Sequence, residues 1–423
     1  MHRLLSVILA GGMGERLSIL SQERAKPAVP FAGKYRIIDF TLSNCVNSGV
    51  YNIIVLTQYQ PMSLTEHIGI GAPWGLVPPD RNIRLLQPYL AREEGRDWYK
   101  GTGDAVFQNI DRIESEDVDE VLILSGDHVY KMDYAGMLEF HRERGAEVTL
   151  AVTRMPEADL HRFGTVVTDE EGRIVRFQEK VKNPQSNLVS MGVYIFNLGT
   201  LRRSLEVRTG HDFGRNIFPK MVTTGKMFAY QFDGYWRDIG TVDSFWQANM
   251  EVLAMSQSFL ADDDWPIYTK EVEGPPTKVG DDAMVTNCLL SHGCKIEGRI
   301  ERSIISPGVH VAQGAVVRDS VIMNDTHVGR NCVIDHAILD KEIVIEPDCH
   351  IGYGEDYRAN KAHPDILNCG LTLVGKHTVT PSGYKVGRNC IIYDNVMEGD
   401  LPPAELKSGE TVRARRKPIR FRA

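Results

Sequence analysis

The stretch that decides the fold of the N-terminal part is Leu4–Leu17, which reads LLSVILAGGMGERL. It opens with a nearly continuous apolar run, Leu4 to Ala10, and three glycines follow within the next four positions. Short apolar runs that end in glycine are typical of strands buried on both faces of a mainly parallel sheet. The glycines also let backbone N–H groups approach a phosphate, because no Cβ blocks them. The stretch therefore predicts the first strand and the first ligand-binding turn of an α/β domain.

Similar apolar runs recur further along the chain, separated by segments with helical spacing. In one such segment, Val106, Ile110 and Ile113 stand at positions i, i+4 and i+7. Strands that alternate with helices predict a Rossmann-like α/β domain with a mainly parallel sheet, which we assign to residues 1–254. The runs expected to form its further strands are Ile53–Thr57, Val121–Leu124, Val148–Val152 and Met191–Phe196.

The pattern changes after residue 254. An acidic, proline-bearing stretch, 255–282, is expected to be a linker. In 283–423, paired apolar positions recur every 17 residues, and a second pair follows each first pair by six residues. This six-residue step predicts a left-handed parallel β-helix built from hexapeptide repeats, with about three regular coils before an insertion at about Tyr353 to Thr380. The pairs are Val309/Val311, Thr326/Val328 and Ile343/Ile345, followed by Ala315/Val317, Cys332/Ile334 and Cys349/Ile351.

Composition excludes several classes of protein. Of the 423 residues, 42% are hydrophobic and 25% are charged, which is typical of globular domains. The formal net charge of −8 argues against nucleic-acid or anionic-membrane binding. The seven cysteines include no CxxC pair, so free thiols in a reducing cytoplasm are expected. No apolar stretch approaches the roughly 18 residues of a membrane span.

The glycine turn is accompanied by two cations, Arg16 and Lys26. A Walker A loop would need Gly-Lys-Ser/Thr, and a Rossmann fingerprint would need glycine or alanine where Leu17 stands. The glycines alone could belong to a tight turn with surface cations. The added Arg16 and Lys26 favour nucleotide binding, because together they could neutralise a polyphosphate leaving group.

Two carboxylates are candidates for a magnesium site. Asp127 follows the apolar strand Val121–Leu124, and ligands of open α/β sheets bind beyond the carboxyl ends of strands. Asp127 is a better Mg²⁺ ligand than His128, because Mg²⁺ prefers oxygen. Asp238 could supply the second carboxylate, although an Asp in its context could also be a turn or cap residue.

These residues belong to a set of motifs by which the chain resembles the bacterial glucose-1-phosphate adenylyltransferases, within the sugar-phosphate nucleotidyltransferase group. The resemblance covers nearly the whole chain and weakens after Tyr353. Its sharper motifs are RAKPAV at 24–29, RIIDF at 36–40, LSNC at 42–45, Trp98-Tyr99, GDHVY at 126–130, SMG at 190–192, HDFG at 211–214 and YWRD at 235–238.

The resemblance implies a Mg²⁺-dependent enzyme that makes ADP-glucose and pyrophosphate from ATP and α-glucose 1-phosphate, for glycogen synthesis. A phosphate oxygen of the sugar phosphate would attack the α-phosphorus of ATP in line, without a covalent enzyme intermediate. The implied catalytic residues are Arg16, Lys26, Asp127 and Asp238, of which Asp127 and Asp238 bind the metal. ATP would contact Gly11, Gly12, Gly14, Gly101, Thr102 and Asp104, and glucose 1-phosphate would contact Tyr99, Gly164, Glu179, Lys180 and Ser190.

Regulation and assembly also follow from the resemblance. Members are typically homotetrameric and respond to anionic effectors. Glu23 stands where some members place a lysine that contacts a sugar-phosphate activator, so we expect that activator mode to be lost here. The basic tail offers another effector site at Arg415 and Arg416, although a solvated basic tail is an equal alternative.

Three other functions stay open at this point. A relative that makes a dTDP-, UDP- or GDP-sugar would share the fold and the metal. A silent regulatory subunit is disfavoured because the implied catalytic charges are retained. Acyl transfer on the β-helix, as in bifunctional relatives, is disfavoured because His310, His327, His336 and His350 show no paired arrangement.

Overall fold

The structure is a computed structural model that describes residues 4–77, 79, 81–88, 98–206, 210–224 and 226–415. The chain forms two units, one of Met1–Gly12 with Ile38–Arg237 and the other of Met13–Ile37 with Asp238–Ala423. The domain boundaries expected from the sequence, 1–254, 255–282 and 283–423, remain a prediction. No described helix combines the length and the hydropathy that crossing a membrane requires.

The first unit is built around a mixed sheet, which has nine strands among the described residues. β1 pairs in parallel with β4 and β6, and β5 extends the sheet beyond β4. β11 runs antiparallel to β6, β8 and β9. Strands β1 to β13 are Leu4–Ala10, Pro30–Phe31, Tyr35–Arg36, Asn52–Thr57, Asn82–Leu86, Glu120–Ser125, His128–Tyr130, Val148–Arg154, Gly164–Thr168, Ile174–Glu179, Leu188–Asn197, Met227–Gln231 and Trp236–Asp238.

The apolar runs of the sequence form the buried strands of this sheet, which confirms the α/β class. In β6, Val121, Leu122, Ile123 and Leu124 are all fully buried, so both faces of the strand are covered. Helices α1 to α9 are Ile37–Asn47, Met62–Ile68, Thr102–Gln108, Ile110–Glu114, Tyr134–Glu143, Leu198–Glu206, Phe218–Met221, Val242–Ala254 and Ser256–Phe259. Short 3₁₀ turns lie at Glu15–Ser21, Lys26–Ala28, Ala72–Trp74, Glu157–Arg162, Val222–Thr224 and Glu398–Asp400, and a π-helical turn lies at Phe213–Ile217.

An aromatic cluster anchors that π-helical turn in the first unit. The Phe213 ring lies 5.6 Å from the Phe196 ring of β11 and 5.7 Å from the Phe218 ring of α7, measured between centroids. All three side chains are buried, and aromatic pairs at such distances add to the stability that burial provides. The segment just before the turn, 211–212, is thereby held at a fixed place beside the sheet.

The second unit is dominated by a three-sided parallel β-helix. Its strands form three parallel sheets, and successive coils pair in register. Strands β14 to β33 are Lys278–Val279, Met284–Thr286, Leu289–Leu290, Lys295–Ile296, Arg299–Glu301, Ile304–Ile305, His310–Val311, Val316–Arg318, Val321–Ile322, His327–Val328, Val333–Asp335, Ala337–Leu339, Val344–Ile345, His350–Tyr353, Thr372–Val374, Val379–Thr380, Lys385–Gly387, Ile391–Ile392, Glu405–Leu406 and Thr411–Val412.

The apolar pairs in the sequence are the inward positions of these coils, which confirms the hexapeptide β-helix. Each inward side chain stacks on its equivalent in the neighbouring coil. We call one such stack the central ladder; among its members Val317 pairs with Ile334, and Ile334 pairs with Ile351. The whole central ladder consists of Val285, Ile300, Val317, Ile334, Ile351, Val386 and Leu406.

The β-helix is longer than the three or so regular coils counted in the sequence. One sheet has five strands before the insertion, starting at residues 278, 295, 310, 327 and 344. The step from 295 to 310 is 15 residues rather than 17, which breaks the sequence period. The first coil also lacks a buried inward position, because Val279 and Val285 are exposed. Both features hid the first coils from an analysis based on periodicity.

Candidate active site

Asp127 is the second residue after β6, at the carboxyl end of a central strand. The preceding Gly126 donates its backbone N–H to the Leu9 carbonyl oxygen at 3.0 Å, which fixes the turn against the end of β1. The Ser125 hydroxyl donates to Oδ1 of Asp127, and Nε2 of His128 lies 3.4 Å from the same oxygen. The Asp127 side chain is 27% exposed, so its carboxylate can accept a further ligand. An accessible carboxylate in this place fits a hard divalent cation.

Glu179 and Lys180 form a close pair on the first unit. Glu179 is the last residue of β10 and pairs with Gly164, the first residue of β9. Lys180 Nζ lies 3.6 Å from Glu179 Oε1, with 54% of the lysine side chain and 17% of the glutamate side chain exposed. The pKa of Glu179 is raised, mainly by burial. The Lys180 charge opposes this rise, and the Asp212 charge adds to it. The arrangement offers an accessible cation beside a largely desolvated carboxylate.

Ser190 lies near this pair. It is a buried residue of β11, at the point where the register of β11 against β8 shifts. Burial raises the pKa of Tyr194, a hydrogen bond from Ser190 opposes that rise, and the charges of Glu179 and Asp212 add to it. Ser190, Glu179 and Gly164, three of the residues implied for the sugar phosphate, are thus brought together in the first unit.

Gly101, Thr102 and Asp104 lie at the start of α3, against the segment His211–Gly214. The Thr102 hydroxyl donates to Asp212 Oδ2 at 3.2 Å and accepts the backbone N–H of Phe213 at 3.1 Å. Asp104 donates its backbone N–H to the His211 carbonyl oxygen at 3.0 Å. A Cβ on Gly101 would lie 2.3 Å from that oxygen, so only glycine fits there. The loop implied to contact ATP at Gly101, Thr102 and Asp104 is therefore held by a second segment.

Tyr99 lies just before this loop. Its hydroxyl accepts a hydrogen bond from Asn109 Nδ2 at 3.0 Å. Asn109 also donates to the Ala105 carbonyl oxygen at 2.8 Å, which ties the tyrosine to α3. Asn109 and the segment His211–Gly214 were given no role in the sequence analysis. The HDFG motif was the available signal for that segment, but a motif alone does not show which residues it contacts.

In the second unit, the end of the glycine turn packs against Lys26. Gly14 has φ of +66°, a left-handed conformation that favours glycine. A Cβ there would lie 3.1 Å from Ser21 Cβ and 3.3 Å from Lys26 Cβ. In the first unit, Gly11 lies beside Gln58, whereas Gly12 has open space around it. Open space at Gly12 leaves its backbone accessible to a ligand.

The cations Arg16 and Lys26 converge on Asp238 in the second unit. Lys26 Nζ lies 3.2 Å from Asp238 Oδ1, and both side chains are largely buried. A Cβ built on Gly240 would lie 2.7 Å from Asp238 Oδ2 and 3.4 Å from Arg16 Nη2. Thr241 caps α8 immediately afterwards, which fixes the turn that presents Asp238. Two cations and a carboxylate at this spacing suit a polyphosphate with a bound cation.

Of the residues considered for effectors, Glu23 and Arg415 lie elsewhere in the second unit. Glu23 Oε2 lies 3.4 Å from Lys376 Nζ, so the acid at this position neutralises a lysine of the β-helix. The backbone N–H of Arg415 donates to Asp400 Oδ1 at 3.1 Å. Arg416 lies outside the described residues. The effector assignment for Arg415 and Arg416 therefore stays a prediction.

The fold and these two sets of residues define a nucleotidyltransferase that carries a β-helix domain. The family model described as Nucleotidyl transferase matches residues 5–255, and the model described as GlmU-like, C-terminal hexapeptide matches residues 275–374. Nucleotidyl transferases generally use a divalent metal ion, which agrees with the accessible carboxylate of Asp127.

Curated relatives narrow the class. A protein named glucose-1-phosphate adenylyltransferase from Thermomicrobium roseum is 50% identical over 415 residues, with 96% of each chain covered. Proteins of the same name from Fervidobacterium nodosum and Acetivibrio thermocellus are 44% and 42% identical, with 93% and 97% of this chain and 95% and 98% of the relatives covered. The chain belongs to the glucose-1-phosphate adenylyltransferase family.

Proposed function

We propose that this protein transfers the adenylyl group of ATP to α-glucose 1-phosphate, forming ADP-glucose and releasing pyrophosphate. The observation that carries the proposal is 50% identity over 96% of both chains to a protein named for this reaction. The positions of the site residues agree with it. In the first unit, Lys180 and Glu179 offer a cation and a carboxylate to a sugar phosphate. In the second unit, Arg16 and Lys26 offer two cations to a polyphosphate, beside the carboxylate of Asp238.

The reaction is an in-line displacement. An oxygen of the ionised sugar phosphate forms a bond to the α-phosphorus of ATP, and the bond from that phosphorus to the bridging oxygen of pyrophosphate breaks. Pyrophosphate leaves with the electron pair, and no side chain has to transfer a proton or form a covalent bond. The protein therefore contributes positioning and charge neutralisation, which are the main catalytic terms in phosphoryl transfer.

Each charged side chain has a place in that scheme. Arg16 and Lys26 stabilise the departing pyrophosphate, while Gly11, Gly12 and Gly14 let the backbone approach the phosphates. Asp127 and Asp238 hold Mg²⁺, whose chemistry when bound is to neutralise phosphate charge. Both carboxylates offer only oxygen donors, as Mg²⁺ prefers.

The other substrate contacts complete the proposal. Lys180 binds the phosphate of glucose 1-phosphate as a point charge, Glu179 accepts hydrogen bonds from sugar hydroxyls, and Ser190 serves as a short donor. Gly164 and Tyr99 line the same substrate. Gly101, Thr102 and Asp104 border the adenine.

The proposal extends to the biological setting. The protein works in the cytoplasm in the synthesis of glycogen or a related α-glucan. It assembles as a homotetramer and responds to anionic effectors, with Arg415 and Arg416 as one candidate site. We also propose that 1–254 is the catalytic domain, 255–282 a linker and 283–423 the β-helix domain.

The test is pyrophosphate release by the purified protein with Mg²⁺ and glucose 1-phosphate, comparing ATP with dTTP, UTP and GTP. Preference for ATP is expected, and Asp127→Ala should lower kcat by about 1000-fold or more. Asp111→Ala, which removes an exposed carboxylate on α4, is the matched control and should leave kcat within about twofold. Preference for another nucleotide would keep the mechanism and overturn the substrate, and no turnover with any nucleotide would favour a silent subunit.

A further inference from the structure

The Glu179 carboxylate lies between two glycines that approach it from different elements. A Cβ on Gly164 would lie 2.7 Å from Glu179 Oε2, and a Cβ on Gly214 would lie 2.4 Å from the same oxygen. Both distances are shorter than non-bonded contacts of a real Cβ, so either side chain would displace the carboxylate. We call this space between Gly164 and Gly214 the glycine cleft.

Backbone conformation does not require glycine at either position. Neither Gly164 nor Gly214 has φ in the left-handed region, so alanine would be unstrained on both backbones. What both positions require is room. At Gly214 the nearest atoms to an added Cβ all belong to Glu179, whereas at Gly164 the Phe177 ring also lies within 2.6 Å. Gly214 therefore affects the carboxylate more selectively than Gly164 does.

The segment that presents Gly214 is tied to the implied ATP side. Asp212 Oδ1 accepts the backbone N–H of Arg215 at 2.9 Å, which caps the turn that contains Gly214. The other oxygen of Asp212 accepts the Thr102 hydroxyl at 3.2 Å. The two oxygens of Asp212 therefore link Thr102, on the implied ATP side, to the turn that contains Gly214, the glycine beside Glu179.

We propose that Gly214 and Gly164 are positioning residues, which hold the Glu179 carboxylate at the place where it accepts the sugar hydroxyls of glucose 1-phosphate. This inference rests on the proposed function, because it takes Glu179 as a substrate contact. The segment 211–214 then fixes the geometry of the sugar side relative to the loop at Thr102. A substrate-positioning group displaced by about 1 Å can cost about 100-fold in rate. The absence of a Cβ at Gly164 and Gly214 therefore matters for activity, because a Cβ at either position would displace the Glu179 carboxylate.

The test is steady-state kinetics and calorimetric glucose 1-phosphate binding with Gly214→Ala. We expect KM for glucose 1-phosphate to rise at least about tenfold and KM for ATP to change less than about threefold. Gly199→Ala is the matched control, because its Cβ would meet only the flexible end of Arg203 at 3.5 Å in α6. That variant should stay within about twofold of the unmodified protein in both constants.

A double-mutant cycle separates displacement of Glu179 from general damage. In a Glu179→Ala background the clash is gone, so adding Gly214→Ala should change KM for glucose 1-phosphate by less than about twofold. An undiminished effect of Gly214→Ala in that background would overturn the glycine cleft. If Glu179→Ala by itself left that KM unchanged, the substrate role proposed for Glu179 would fail instead.

A folding failure would also be informative. If Gly214→Ala does not fold but the double variant with Glu179→Ala does, by thermal unfolding, the clash is located at the carboxylate and the proposal stands. If both variants fail to fold, Gly214 has a structural role independent of Glu179 and the proposal is rejected.

Discussion

The glycine cleft of the first unit and the central ladder of the second unit place their atoms by opposite means. In the cleft, a single carboxylate depends on two glycines that differ in element and surroundings. In the ladder, the same kind of apolar side chain recurs coil after coil, and each member packs on equivalents above and below. The difference teaches that function depends on positions that occur once in the fold, whereas stability comes from many repeated positions.

The largest effect on stability that we expect comes from the ladder. Ile334→Ala removes a fully buried side chain between Val317 and Ile351, and such truncations cost about 3 kcal/mol in unfolding free energy. Basal kcat at 25 °C should stay within about twofold, because no substrate contact is assigned there. Thermal unfolding measures the loss of stability, and pyrophosphate release measures kcat. Val285→Ala, at the exposed end of the same ladder, is the control and should cost less than about 1 kcal/mol. If Ile334→Ala lost turnover without losing stability, the ladder would have a functional role and the contrast with the glycine cleft would be wrong.

A smaller effect of the opposite kind is expected beside the cleft. Lys180→Gln removes the charge proposed to bind the sugar phosphate, and losing a charge-assisted hydrogen bond costs about 2–3 kcal/mol. KM for glucose 1-phosphate should rise about 30–150-fold while the unfolding temperature changes little. Lys182→Gln, an exposed lysine two residues away, should leave that KM unaltered. Equal effects of the two variants would remove Lys180 from the site.

The smallest effect sharpens the comparison, because it concerns a polar exception inside the regular β-helix. Burial, together with the charges of Asp340 and Glu23, raises the pKa of Asp394 to about 6, and a hydrogen bond from the backbone of Lys376 opposes this rise. The folded pKa lies above the ordinary value of 3.8, so the folded state binds this proton more tightly. Its contribution to stability is present below pH 4 and is lost as the pH rises to about 6.

Asp394→Asn should therefore flatten the stability profile between pH 4 and pH 6 and raise stability above pH 6. Denaturant unfolding over a pH series measures this. Asp400→Asn is a control of opposite sign, because backbone hydrogen bonds from Met397 and Arg415 lower the pKa of Asp400. A pH profile of Asp394→Asn identical to that of the unmodified protein would show that Asp394 titrates normally.

The sequence predicted the parts of the fold that depend on local pattern. The run Leu4–Ala10 and its equivalents became buried strands, and the 17-residue period became β-helix coils. The coils starting at 278 and 295 were missed because a shortened step and exposed apolar residues removed the period. Antiparallel pairing of β11 was also beyond reach, because an apolar run does not encode its direction.

For the candidate site, the sequence and the family resemblance together supplied residue types but not contacts. From the residues alone, a solvated pair is the first interpretation of Glu179 and Lys180, and only the fold shows the carboxylate enclosed between Gly164 and Gly214. These two glycines are 50 residues apart in sequence, and nothing in their spacing relates them to one carboxylate. Steric room is a property of the folded chain, so no motif could have predicted it.

The insertion in the β-helix has a consequence for how such domains acquire new parts. Between β26 and β29 the chain takes 35 residues instead of 17, yet Val344 still pairs with Val379 in register. The additional residues leave the coil with only a local register shift after Ile351. Their own side chains hold them, as where Asn360 donates to the Asn389 carbonyl oxygen at 2.9 Å. Evolution or protein engineering can therefore insert residues at one corner of a β-helix coil without changing the sequence of the nucleotidyltransferase part of the chain.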